Sequence, residues 1–330
     1  MKCTNRLITV FLAGACGAFL LCGCGEQKTN IENAYDVYDT SAQYGLTNAQ
    51  AETAVKPFAA DLCVADFKNS DGKDMLTQVA KGAGLFLPSE ATTAYAQNVH
   101  ERLYPASTTK ILTAYVALKY GDLDQTVTVS KKALEGLDPS SSVCGIQVGD
   151  TLTLETLLYG LMLCSGNDAA EMIAESVAGS REAFVELMNQ EALALGATNS
   201  HFTNAHGLPD EEHYTTVYDL YLIFQAAVKN ETFVNMIHTG SYEAVYTNGS
   251  GQTVKKQWNN SNRYLSGKEE MPDGVTVIGG KTGTTQAAGY CLVLLSENEK
   301  KEPVISIVLK ADGRSDLYLF MSQMLSNFSN

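Results

Sequence analysis

The chain has 330 residues, of which 45% are hydrophobic and 18% charged, and it carries a formal net charge of −14. That apolar share is enough to bury a substantial core and excludes a disordered chain or a coiled coil. The acidic balance excludes nucleic acid as a partner, because phosphate binding needs a basic surface.

Lys2 and Arg6 precede an apolar run from Leu7 to Leu21, broken by Gly14 and Gly17 and followed by Leu21-Cys22-Gly23-Cys24. A basic start, an apolar stretch and a small residue before a cut are expected of an export signal. The Leu-x-Gly-Cys ending resembles a bacterial lipobox. That resemblance implies cleavage after residue 23, a lipid on Cys24 and a place at the outer face of the cytoplasmic membrane. An ordinary signal peptide and an uncleaved membrane helix are the alternatives. The run of about 15 residues falls short of the roughly 20 that a spanning helix needs. Loss of residues 1–23 removes Lys2, Arg6 and no acid, moving the net charge from −14 to −16. Of eight cysteines, Cys3, Cys16 and Cys22 would leave with the signal and Cys24 would carry lipid. The remaining Cys63, Cys144, Cys164 and Cys291 allow three pairings, among which sequence does not choose. No Cys-x-x-Cys pair with metal spacing remains, so no structural zinc is expected, and no cofactor.

From Gly25 to about Lys56 the chain is polar and reads as a tether. Ala59 to Phe67 has the composition of a strand and Lys68 to Lys73 that of a turn, which makes 24–80 an N-terminal extension ahead of the main domain. Ala83–Leu87 and Thr93–Val99 are expected to pair as a hairpin. Ser107 to Gly121, Thr153–Leu163, Asp168–Val177, Arg181–Leu195 and Thr216–Val228 have helical spacing. The period then changes: Val275–Lys281, Tyr290–Ser296 and Val304–Leu309 are rich in Val and Ile and read as strands, and Asp316–Phe328 as a closing helix. The order predicts an α+β fold, with an antiparallel sheet built from both chain ends, flanking helices and a helical lobe from the middle.

Serine is a weak nucleophile at neutral pH and needs a base. Ser107 and Lys110 lie three apart at a helix start, so the amine can reach the hydroxyl, and the helix N-terminus favours a developing oxyanion. Burial near another cation would free the amine of its proton. The spacing alone is weak: it arises about once by chance in a chain this long, and Ser70-Asp71-Gly72-Lys73 repeats it in a polar turn. For Ser107 itself the competing reading is a helix cap. Ser165-Gly166-Asn167 lies between two helices, where a hydroxyl and an amide can relay a proton and hold a substrate amide. Ser296-Glu297-Asn298 has the same spacing at a strand end among charges. Lys281-Thr282-Gly283-Thr284 follows Gly279-Gly280 on a Val/Ile strand, where glycines let a ligand backbone lie close.

In order and context the three motifs resemble the Ser-x-x-Lys, Ser-x-Asn and Lys-Thr-Gly set of β-lactamases and penicillin-binding proteins. Together with Pro105–Thr113, Ser165–Ala170, Phe202–Leu208, His213–Thr216 and Gly279–Thr284, residues 81–330 resemble the D-alanyl-D-alanine carboxypeptidases. The resemblance implies a β-lactamase/transpeptidase-like fold and removal of the terminal D-alanine from peptidoglycan stem peptides, with β-lactams as acylating inhibitors. It makes Ser107 the nucleophile, Lys110 its base, and Ser165 and Asn167 aids to proton transfer and substrate holding. Lys281 and Thr282 would take the terminal carboxylate, with Gly283 and Thr284 beside them. The N–H groups of Ser107 and Thr284 would form the oxyanion hole. His206 and His213 match family positions but read as structural, and Cys164 as a buried inert thiol. The chain stops after its closing helix, where many relatives carry a second all-β domain and an amphipathic anchor, a place an N-terminal lipid would take. A D,D-endopeptidase, a penicillin sensor that does not turn over and a β-lactamase are the alternatives. The last lacks a Glu-x-x-Leu-Asn signature between Ser165 and Lys281, and the sensor a long cytoplasmic segment.

Overall fold

Five antiparallel strands in the order β2-β1-β9-β8-β7 form the central sheet: β1 (Ala80–Leu87), β2 (Thr92–Gln97), β7 (Thr276–Thr285), β8 (Gly289–Glu297) and β9 (Pro303–Ala311). The computed structural model describes residues 59–72, 74–138 and 141–329. The expected signal, Cys24, the whole Gly25–Lys56 tether and Lys73 lie outside the described residues. The sheet is built from both ends of this region, as the strand pattern predicts. β9 registers Ile307 against Gly84 of β1 on one side and against Val293 of β8 on the other.

Both faces of this sheet are covered, which is why β8 and β9 are near-continuous apolar runs. Leu85, Leu292, Leu294 and Val308 pack with Leu317, Phe320, Met321 and Met324 of the closing helix α8 (Arg314–Phe328). Phe86, Val293, Ile305 and Ile307 face the helical body, where Phe86 stacks on Tyr221 at 4.1 Å between ring centroids.

The body contains α1 (Lys110–Tyr120), α2 (Lys131–Leu134), α3 (Leu154–Leu163), α4 (Asn167–Ala178), α5 (Arg181–Ala194), α6 (Val217–Ala227) and α7 (Glu231–His238). Side-chain caps start four of the long or medium helices: Thr153 accepts from Thr156 N–H, Ser180 from Ala183, Thr216 from Asp219, and Asn230 from Thr232 and Phe233. α1 is buried nearly all round and forms the axis on which α3, α4 and α6 pack.

Four features differ from the sequence expectation. Residues 59–67 form turns and bends with one bridge, Val64 to Thr92, and no strand. They pack against the body: Cys63 is fully buried, its N–H donating to Tyr221 Oη at 2.9 Å and its carbonyl accepting from Tyr218 Oη at 3.0 Å. The compact unit therefore starts at Ala59 rather than near residue 81. The Ser107 segment is a 3-10 turn, Ala106–Thr109, and the α-helix begins only at Lys110. β7 continues through the Lys-Thr-Gly motif to Thr285 instead of ending at it. The middle of the chain is also not wholly helical. It adds a second antiparallel sheet in the order β3-β4-β5-β6, from β3 (Thr126–Thr128), β4 (Thr151–Thr153), β5 (Ser241–Thr247) and β6 (Thr253–Asn259).

Candidate active site

Ser107 sits in the 3-10 turn directly before α1. In such a turn residues i and i+3 eclipse, so Lys110 lies over Ser107. Lys110 Nζ is 3.0 Å from Ser107 Oγ. It donates to Asn167 Oδ1 and to the His206 carbonyl, each at 2.7 Å. This lysine is fully buried. Burial first, and then the charge of Lys281, hold its ammonium well below the ordinary lysine range. A neutral amine has two N–H donors and one lone pair. With both donors engaged by Asn167 and His206, the lone pair is left for the Ser107 hydroxyl proton.

The His206 carbonyl is held by its own loop. Asn204 Oδ1 accepts from His206 N–H at 3.2 Å and Gly207 N–H at 2.7 Å. Gly207 has φ +89°, and a Cβ there would stand 1.8 Å from the Ala106 carbonyl oxygen, so only glycine fits. Ala106 (φ +49°) and Ser165 (φ +60°) are non-glycine residues in the left-handed region, one beside Ser107 and one in the second motif. Each conformation costs about 1–3 kcal/mol and persists because its surroundings over-determine it.

Lys281 reaches in from β7. Its Nζ donates to Ser165 Oγ at 3.0 Å and to the Thr282 carbonyl at 3.1 Å, and burial pulls its pKa down to about 8. Thr282 Oγ1 lies 2.6 Å from Ser261 Oγ. β7 is an edge strand of the central sheet, so it can receive an extended peptide along its free side. Gly283 brings that edge close to Ser107: a Cβ there would be 3.0 Å from Ser107 N. Lys110 thus joins Ser107 to Asn167, Lys281 joins β7 to Ser165, and Thr282, Gly283 and Thr284 follow Lys281 along β7 where Gly283 meets the Ser107 turn.

Residues 89–313 match the family model of the peptidases S11, the D-alanyl-D-alanine carboxypeptidases. The chain belongs to this family. Within the carboxypeptidases it is 33% identical over 266 residues to DacF of Bacillus subtilis, a match covering 78% of this chain and 65% of that one. It is 38% identical over 222 residues to DacC of Escherichia coli, covering 65% of this chain and 52% of that one. The chain thus spans about two thirds of the first relative and half of the second. In fold it is similar to the crystal structure of the Streptomyces K15 DD-transpeptidase, with a TM-score of 0.68 and 33% identity over 74% of this chain and 96% of that one. The α+β, transpeptidase-like architecture expected from sequence is the one observed.

Both look-alike motifs are engaged elsewhere in the fold. Ser70 Oγ accepts from Ala96 N–H at 2.9 Å and secures the edge of β2. Asn298 caps a turn, accepting from the N–H groups of Lys300 and Glu302. His213 is structural as expected: burial lowers its pKa to about 3, its Nδ1 accepts from Thr203 N–H at 3.1 Å, and its Nε2 bonds Thr109 Oγ1 at 2.9 Å. His206 does more than the sequence suggests, because its backbone carbonyl is a direct partner of Lys110. Its ring stands 3.1 Å from Glu171, which also contacts Arg181. Ser261 is a further site residue outside the three motifs, with no spacing signal to reveal it. Cys164 departs from expectation too. It is half-buried rather than buried, and its sulfur lies 3.3 Å from that of Cys144.

Proposed function

We propose that this protein is a serine-type D-alanyl-D-alanine carboxypeptidase acting on peptidoglycan stem peptides through an acyl-enzyme on Ser107. The observation that carries the proposal is the buried Lys110 amine, held by two acceptors and 3.0 Å from Ser107 Oγ. Ser107 Oγ attacks the carbonyl of the penultimate D-alanine while Lys110 takes its proton. The N–H groups of Ser107 and Thr284 receive the oxyanion, an interaction commonly worth about 3 kcal/mol per donor. Lys281 and the Thr282 hydroxyl take the terminal carboxylate. Ser165, hydrogen-bonded to Lys281, passes a proton toward the departing D-alanine nitrogen, and Asn167 holds the substrate amide as well as Lys110. Water then releases the shortened peptide. β-Lactams acylate the same serine because their amide occupies the same place.

The Streptomyces K15 structure is named a transpeptidase, so an amine acceptor is the second reading. Incubation of the full chain with a peptide ending in D-Ala-D-Ala, with and without an amine acceptor, separates the two. Free D-alanine with a hydrolysed peptide supports the carboxypeptidase. D-alanine release seen only with amine present points to transpeptidation. Release only from cross-linked dimers points to an endopeptidase, and no release at all sinks the proposal.

We further propose export and anchoring through a lipid on Cys24, supported by the Lys2-to-Cys24 pattern. Mass spectrometry of the mature N-terminus tests this. A lipid-modified Cys24 is expected, and any other first residue overturns the anchor.

A further inference from the structure

Cys144 and Cys164 meet at the turn that carries Ser165, in a setting built around their sulfurs. Cys164 ends α3 and immediately precedes Ser165. Cys144 lies on the segment that covers this turn, and its backbone is held from several directions. Its N–H donates to Asp168 Oδ1 at 2.8 Å, its carbonyl accepts from Trp258 Nε1 at 3.3 Å, and Asn167 N–H donates to the nearby Ser142 carbonyl at 2.8 Å. The Cys144 sulfur fills a slot left by two glycines: a Cβ on Gly160 would stand 2.6 Å from it, and one on Gly166 2.1 Å. The two sulfurs are 3.3 Å apart. A disulfide requires about 2.05 Å, so the sulfurs need to close by little more than 1 Å between backbones that are already fixed.

We propose that Cys144 and Cys164 are a disulfide-forming site whose bridge clasps the 142–146 segment to the Ser165-Gly166-Asn167 turn. The co-reactant is a disulfide-bearing oxidant, of which oxidised glutathione is the simplest. Cys164 is the half-buried member, and its hydrogen bond with Cys144 lowers its thiol pKa, whereas burial raises that of Cys144. The Cys164 thiolate attacks one glutathione sulfur, forming a mixed disulfide and expelling one glutathione thiolate. Cys144 then gives up its proton and attacks the Cys164 sulfur, expelling the second. Two protein thiols are oxidised and one glutathione disulfide is reduced to two thiols. The exchange requires neither turnover nor the exported location, so its test is independent of both.

The full chain is equilibrated in glutathione buffers of rising oxidised-to-reduced ratio, quenched with acid, alkylated and peptide-mapped. One cross-linked pair joining the Cys144 and Cys164 peptides is expected, with neither residue alkylated. Its formation raises Tm by about 5 °C or more, reversibly on reduction. Penicillin acylation of the bridged form stays within about threefold of the reduced form, because the sulfurs move by so little. Cys164→Ser, at the half-buried position, loses the cross-link and the Tm response to oxidant. Full alkylation of both residues at every ratio overturns the proposal. So does a bridge from either residue to Cys63 or Cys291, or a Cys144–Cys164 bridge that leaves Tm unchanged.

Discussion

Two buried lysines each bond a motif serine, Lys110 with Ser107 and Lys281 with Ser165, and their proposed roles need opposite protonation states. Lys110 serves as a base only when neutral, and Lys281 holds a carboxylate only when charged. Burial disfavours charge on both, and the charge of Lys281 pushes Lys110 further down. Lys110 becomes competent as pH rises through its lowered pKa, and Lys281 loses its charge as pH rises through about 8. The expected kcat/KM profile is therefore bell-shaped, with the alkaline limb near pH 8. Lys281→Arg replaces an amine that titrates with a guanidinium that does not. In that variant the alkaline limb should move out of the measurable range even if the maximum falls. An unchanged limb would assign it to another group.

At the scale of elements, the site is a meeting of a 3-10 turn, an edge strand and two loops, and the turn and both loops carry a left-handed residue at Ala106, Ser165 and Gly207. Gly207 shows this most sharply, because its Cα hydrogen faces the Ala106 carbonyl just ahead of the nucleophile. Gly207→Ala is expected to cost about 2–5 kcal/mol, from the left-handed backbone and the clash together, and to slow acylation by displacing Ser107. Thermal melts and penicillin labelling check the two effects, and a variant as stable and as fast as the parent would show that the turn tolerates a Cβ. The helix interiors were legible because apolar spacing and Ser or Thr caps agree at Thr153, Ser180 and Thr216. The β5–β6 hairpin was not assigned, although alternation places Ala244 and Tyr246 inward on either side of exposed Val245 and Asn248-Gly249 marks the turn. Its strands carry charges and threonines on the exposed face, which mutes the apolar pattern. The start of α1 is not legible, because sequence spacing does not separate a 3-10 turn from the first turn of an α-helix.

Across the whole molecule, the proposed nucleophile Ser107 and the lysine proposed to bind the carboxylate, Lys281, come from segments more than 170 positions apart, joined because the sheet is closed by both ends of the described chain. The three motifs were legible because their chemistry needs particular side chains. The His206 carbonyl, Ser261 and the contact between Cys144 and Cys164 were not, because a backbone oxygen has no residue signature and the other contacts exist only after folding. The central claim is that Lys110 activates Ser107 for acylation. Mass-spectrometric mapping of a labelled penicillin adduct, with its rate of formation, tests it most directly in the parent, Ser107→Ala and Lys110→Ala proteins. One adduct on the Ser107 peptide is predicted, absent in Ser107→Ala and slowed by about 10²–10⁴-fold in a folded Lys110→Ala. An adduct on Ser165 or Ser70, or a Lys110→Ala protein that acylates at the parent rate, would contradict it.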